Sequence, residues 1–316
     1  MSTAGRDIAK AIGHLNAGEL VAIPTETVYG LAGNALDSTV VTKIFEAKQR
    51  PAFDPLIVHI PDPDKIQTYA VNIPQAAYDL ADVFWPGPLT ILLEKSHSIT
   101  DLVTSGLSRV GLRCPDHELT LELLGYLSFP LAAPSANPFG YISPTTAEHV
   151  RRQLGDRVAY ILDGGSCKVG IESTVVGFEN EQAVIYRRGG IDRKSIARIT
   201  GKTIEKIVSS NPAAPGQLTQ HYAPRKPMRL GNMDELISKK GNQKVGLLLF
   251  EKSRGEQIEK ILSAKGDVNE AAQNLFAALR ALDESDADII LAESVPEVGL
   301  GPAINDRLQR AAATSI

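Results

Sequence analysis

Apolar residues in the first two-thirds of the chain come in short runs that end at polar, proline or glycine turns. Residues 20–23 make one such run and stop at Pro24. Residues 56–60, LIVHI, alternate, so a strand there puts Leu56, Val58 and Ile60 on one face and Ile57 and His59 on the other. Residues 88–93, 109–113, 131–133 and 173–178 predict further strands. Ser-Pro-Thr-Thr-Ala-Glu predicts a helix start with Ser143 as N-cap, Pro144 at the first helical position and Glu148 in the first turn. The mixture predicts a mixed α/β (α+β) fold, a twisted mixed sheet flanked by helices. Later, residues 244–250 and 288–292 predict strands and residues 302–313 a terminal helix. Residues 268–282 place Val268, Ala271, Ala272, Leu275, Phe276, Leu279 and Leu282 at helical spacing. Asp267 and Glu270 form a variant capping box before that helix. This strand–helix–strand–helix order predicts a small α/β unit with a parallel pair.

Residues 209–227 break the pattern with four prolines, one glycine and no apolar periodicity, which reads as a connector. It nevertheless carries His221 and Tyr222, which a spacer does not need. The chain therefore divides into residues 1–208, a proline-rich linker at 209–227, and a small domain at 228–316. With 316 residues, 43% of them hydrophobic, there is ample material for a core without staples. Lys plus Arg is 33 against 37 Asp plus Glu, so no basic footprint calls for bulk nucleic-acid binding. The two cysteines, Cys114 and Cys167, form neither a CxxC pair nor a zinc spacing, and predict a reducing, cytoplasmic setting. The start MSTAGRDIAKAIG lacks the apolar core of a secretory leader, and no apolar run nears the ~18–20 residues of a membrane span. Gly201-Lys202-Thr203 lacks the glycine a P-loop needs five residues earlier, where Ile196 stands.

The candidate chemistry lies where short strands stop. Pro24-Thr25-Glu26-Thr27-Val28-Tyr29-Gly30 follows the first strand and reads as a strand-to-helix turn. Lys48-Gln49-Arg50-Pro51, with Asp54-Pro55 leading into LIVHI, can aim two cations at one polyanion or be a solvated basic turn. Arg113, on the face opposite Val110 and Leu112, suits a carboxylate. Ala132-Ala133-Pro134-Ser135-Ala136-Asn137 is small enough to admit a ligand to its backbone, with Ser135 and Asn137 as polar contacts. Ser143 stands at a predicted helix start, an anion position. There is no nucleophile–base pair and no metal cage. Cations, hydroxyls and glycine turns fit a reaction run by positioning and charge stabilisation of phosphates.

In order along the chain, PTETVYGL, KxRP with PLIVHI, FWPGPLT, VGLRCP, APSAN, SPT and ESTVV resemble the YrdC-type L-threonylcarbamoyladenylate synthases. The match spans roughly residues 5–203, and HYAP with GLGPAINDRL resembles the long, two-domain form. The resemblance implies a YrdC-like sheet domain plus a small C-terminal Rossmann-like α/β domain. It implies that L-threonine, bicarbonate and ATP give threonylcarbamoyl-AMP and pyrophosphate, with Mg²⁺ carried by ATP. Downstream threonylcarbamoyl-transfer enzymes would use the product to modify ANN-decoding tRNAs beside the anticodon, with tRNA met only indirectly or weakly. By motif position, L-threonine falls on Thr27, His59, Arg113, Ala133 and Ser173. ATP falls on Arg50, Asp54, Arg109, Ser135, Asn137, Ser143, Arg187 and Tyr222, with Lys48 and Arg50 as the catalytic cations. Tyr222 would fold over the nucleotide, making the linker a lid. Asp54 stands where the family often has Asn, and Arg188 where it has a proline, so either Arg187 or Arg188 could make the nucleotide contact. Two other readings use the same residues: a non-catalytic tRNA- or double-stranded-RNA-binding module, and a synthase or transferase of another carbamoyl adenylate.

Overall fold

The computed structural model describes residues 3–207 and 222–313. His221 and most of the linker lie outside them. Two compact units are present: residues 1–139, 144–168 and 172–218 form the first, and residues 140–143, 169–171 and 219–316 the second.

Among the described residues, eleven strands of the first unit make one mixed sheet. Their order is Thr3–Gly5, Tyr160–Leu162, Val21–Ile23, Gly30–Asn34, Leu131–Ala132, Ile57–His59, Arg109–Arg113, Leu89–Glu94, Thr174–Glu179, Gln182–Arg187 and Ile204–Glu205. One face is apolar along most of its length. Leu56, Val58, Ile60, Leu89, Ile91, Val110, Leu112 and Val176 pack there against Val40 and Ile44 of helix Ser38–Lys48 and Leu80 of helix Gln75–Phe84. The opposite face is covered over its first strands by helices Ile8–Asn16 and Glu118–Tyr126, whose Leu15, Leu123 and Leu124 meet Val21, Ile23, Ala32 and Leu131. Beyond that cover, the same face carries Ile57, His59, Thr90, Gly111 and Arg113. Period-two alternation thus sends one set of side chains to the core and the other to the candidate site.

The helix after Ser143 starts later than its sequence predicts. Helix Ala147–Leu154 has Thr146 as N-cap, its hydroxyl accepting from the His149 amide. The Pro144 carbonyl accepts from the Tyr29 amide at 2.9 Å, which ties this stretch to the Pro24–Gly30 loop in extended form.

In the second unit, strands Met228–Leu230, Ile289–Ala292, Val245–Leu249 and Glu259–Ile261 form an all-parallel sheet, in that order, which extends the predicted pair to four. Helix Val268–Asp283 buries the predicted Ala271, Ala272, Leu275, Phe276, Leu279 and Leu282. Its cap differs from the capping box. The Asp267 side chain accepts from the Asn269 amide, while Ser263 Oγ takes the Asp267 amide and donates to Glu270.

Candidate active site

Strand register builds the site floor. Ile57–His59 runs parallel to Arg109–Arg113, with Ile57 opposite Gly111 and His59 opposite Arg113. Opposed residues share a face, so His59 and Arg113 stand side by side. Gly111 keeps the floor low between them and Thr90: a Cβ there would lie 3.0 Å from Thr90 Cγ2 and 3.6 Å from Ile57. Arg113 Nη2 donates to Thr27 Oγ1 at 2.8 Å and pairs with Glu26 Oε1 at 2.8 Å. The other Glu26 oxygen accepts from the Asp116 amide at 3.1 Å. Arg113 Nε and His59 Nδ1 are buried without a hydrogen-bond partner. Ala133 closes this end, its amide bonded to the Ile57 carbonyl at 3.0 Å.

Burial first, and then the Arg113 charge, lower the His59 pKa to about 3, so the ring is neutral at pH 7. An unfolded imidazole takes a proton near pH 6.5 and the folded one resists it. Stability contributed by the neutral ring is therefore complete above pH 6.5 and is lost progressively as pH falls towards about 3. His59→Gln is expected to lose less of its urea midpoint between pH 7 and pH 5 than the parent chain does. An equal loss in both proteins would contradict the neutral, buried imidazole.

The Pro24–Gly30 segment is the loop of a hairpin, not a strand-to-helix turn, because Val21–Ile23 and Gly30–Asn34 pair antiparallel. Thr25 Oγ1 organises it, accepting from the Thr27 and Val28 amides at 3.2 Å each and donating to the Val28 carbonyl at 2.7 Å. Tyr29, fully buried, donates to the Gly165 carbonyl at 2.7 Å and accepts from the Gly164 amide at 3.1 Å, pinning the Asp163-Gly164-Gly165 turn.

The cationic side begins at the end of helix Ser38–Lys48. Lys48 is buried, and its ammonium is held by the carbonyls of Ser135 and, at 2.6 Å, Asn137. Burial, with Arg50 beside it, lowers its pKa well below the usual lysine range. Arg50 staples its own loop: Nε reaches the Asp54 carbonyl at 3.0 Å, and Nη2 reaches the Pro55 carbonyl at 2.8 Å and Asp54 Oδ2 at 2.9 Å. Asp54 thus faces a cation. Burial raises its pKa, with Arg50, Lys48 and Arg187 pulling the other way. Arg187 donates to the Ser173 carbonyl at 3.0 Å and to Ser173 Oγ at 2.9 Å, and Ser173 Oγ meets Thr90 Oγ1 at 2.7 Å. Ser173 therefore joins the cationic side to the His59–Arg113 floor. Gly189 permits this approach, since a Cβ there would fall 2.2 Å from the Glu172 carbonyl oxygen.

Four further residues singled out from the sequence make contacts of their own. Arg109 is at the other end of its strand from Arg113, ~13 Å along it, where it bonds the Tyr186 hydroxyl at 3.0 Å and stacks over that ring. Arg188 pairs with Glu205 at 2.6 Å, so of the two arginines it is Arg187 that joins Ser173. Ser143 and Tyr222 belong to the second unit. Ser143 is buried, and its carbonyl accepts from Arg280. Tyr222 has φ 65° and is buried against Phe276, ring centroids 5.7 Å apart, with the Arg307 guanidinium 5.1 Å from its ring. Asp283 then accepts from the Arg225 and Lys226 amides, fixing the end of the linker on helix Val268–Asp283.

Residues 14–189 match the Sua5/YciO/YrdC family model described as "Telomere recombination", and residues 191–313 match the model of the "Threonylcarbamoyl-AMP synthase, C-terminal domain". The threonylcarbamoyl-AMP synthase of Pyrococcus abyssi is 41% identical over 97% of this chain and 94% of its own length. That of Bacillus subtilis is 40% identical over 99% and 94%. The chain belongs to the threonylcarbamoyl-AMP synthase family. It is therefore an enzyme, a synthase of the transferase type. A crystal structure of P. abyssi Sua5 complexed with L-threonine matches with TM-score 0.92 and 38% identity, covering 100% of this chain and 98% of that one. The mixed α/β fold is thus that of P. abyssi Sua5, and the comparisons favour the enzyme over an RNA-binding module. The motifs as read from the sequence give no individual role to Glu26, Tyr29 or Thr90. The first two lie inside PTETVYGL, and the signal for Glu26 was an acid beside a predicted ligand residue, Thr27.

Proposed function

We propose that the His59–Arg113 floor binds L-threonine and that the Lys48, Arg50 and Arg187 side binds ATP. The chain, as a threonylcarbamoyl-AMP synthase, joins L-threonine, bicarbonate and ATP into threonylcarbamoyl-AMP with release of pyrophosphate. One observation carries the binding assignment: Arg113 Nε and His59 Nδ1, buried at register-paired positions, have no hydrogen-bond partner. Buried polar atoms are ordinarily satisfied, and a substrate carboxylate and its neighbours would satisfy these.

Arg113 takes the α-carboxylate, while Thr27, neutral His59, Ser173 and the Ala133 backbone orient the amino acid. The threonine amine and bicarbonate give a carbamate with loss of water; a carbamate oxygen attacks the α-phosphate and pyrophosphate leaves. The protein's part is to position these groups and offset charge. Arg50 and Arg187 supply fixed positive charge around buried Asp54. Lys48, by gripping two carbonyls, sets the loop that presents Ser135 and Asn137 to the nucleotide. Magnesium enters as the counter-ion of ATP; among the described residues no three His, Cys, Asp or Glu side chains gather to hold a metal ion. For Arg109, Ser143 and Tyr222 the nucleotide assignment rests on the motifs alone.

In this reading residues 1–208 are the catalytic domain, 209–227 a linker that acts as lid, and 228–316 a C-terminal α/β domain. The product feeds downstream transfer enzymes that modify ANN-decoding tRNAs, in the cytoplasm. No described helix is long and apolar enough to cross a membrane.

The test is isotopic. Label from bicarbonate is expected in an AMP-linked product only when L-threonine and ATP are both present; absence of label from that product would overturn the assignment. Gly189→Ala is expected to push Ser173 and Arg187 out of register at a cost of about 1–3 kcal/mol, with a matching fall in turnover. Unchanged melting and turnover in that variant would contradict the tight approach described above.

A further inference from the structure

The Arg113 guanidinium already has an anion. Glu26 is 4% exposed and Arg113 is 4% exposed, so the pair at 2.8 Å is removed from water and neutral as a unit. Neutral His59 and the Thr27 hydroxyl complete the surroundings. A simple carboxylate entering such a place would add an uncompensated negative charge, which burial penalises. A zwitterion would not. In an α-amino acid the nitrogen lies only two bonds from the carboxylate carbon, about 2.5 Å away. A carboxylate docked on Arg113 therefore brings its ammonium among the groups that Arg113 itself touches. Of these Glu26 is the anion, and each of its oxygens has one protein partner, leaving lone pairs to accept more.

We propose that Glu26 is a specificity-determining residue, the acceptor that makes this site take a zwitterionic amino acid in preference to a plain hydroxy acid. The inference rests on the assignment of threonine to Arg113. Glu26 is not only a prop for the arginine: a prop would serve any carboxylate equally, whereas a charge partner discriminates by the amine.

The experiment compares L-threonine with (R)-3-hydroxybutyrate, the same skeleton without the amine, by calorimetric titration of the full chain. The parent should prefer threonine strongly. Glu26→Gln keeps size and hydrogen bonding but removes the charge. It should weaken threonine by about tenfold or more, the scale of one charge-assisted contact, while hydroxybutyrate binds as well as before or better. ATP binding should be unchanged and serves as the check on folding. Glu26→Asp, which keeps the charge, should restore most of the preference and stands in if the Gln variant does not fold. Equal weakening of both ligands, or a preference that Asp does not restore, would overturn the proposal. If Arg113→Ala leaves binding of both ligands untouched, it is the underlying threonine assignment that falls.

Discussion

Arg113→Ala is expected to raise the threonine KM by about 100-fold or more, the equivalent of losing two charge-assisted hydrogen bonds. The ATP KM should stay within about threefold, because Lys48 and Arg50 make their contacts elsewhere and Arg187 reaches the floor only through Ser173. The same substitution strands the Glu26 carboxylate in a dry site, and breaking a buried pair from one side costs about 3–5 kcal/mol. Lower stability and lost threonine use should therefore appear together, and only the former should be relieved by adding Glu26→Gln. Arg113→Lys keeps the charge but not the planar fork, so it should fall between parent and Ala. Steady-state kinetics in each substrate, with urea unfolding alongside, checks all of these. Equal damage to both KM values would contradict the division of labour.

Arg50→Ala is expected to act on the nucleotide. It removes a cation and also the staple that holds residues 50–55, leaving Asp54 buried and unpaired. ATP affinity should fall by about 10- to 100-fold with the threonine KM little changed. Asp54→Asn should do the reverse, tightening ATP several-fold, since it removes a negative charge from among the cations around it. The double variant should be more stable than Arg50→Ala alone, because no buried charge is orphaned; a double-mutant cycle in urea reads this coupling. Simple additivity would show that the pair is not a unit.

Much of the layout of the candidate site is legible in the chain. Alternation in LIVHI and in 109–113 assigned His59 and Arg113 to the face opposite the core, and the structure makes them neighbours through strand register. Asp54 and the Arg187/Arg188 ambiguity needed through-space partners: Arg50 for the first, Ser173 and Glu205 for the others. Lys48 reads from sequence as a cation aimed at a ligand, yet its ammonium is held by carbonyls 87 and 89 positions away. Glu26 has the same problem, since its partner Arg113 is brought by another strand. The N-cap falls at Thr146 and not at Ser143 for a physical reason. Three hydroxyl residues stand near the helix start, and the bond from the Tyr29 amide to the Pro144 carbonyl keeps the first part extended, so Thr146 becomes the cap. Strands of two residues, Leu131–Ala132 and Ile204–Glu205, are too short to show any alternation at all.

As a threonylcarbamoyl-AMP synthase, the chain joins threonine, bicarbonate and ATP. Pyrophosphate release by the purified chain, with L-threonine and bicarbonate each supplied or withheld, tests it most directly. Release that needs both, and that serine or glycine supports far more poorly, is the predicted result. Release indifferent to threonine, or none under any condition, would contradict it.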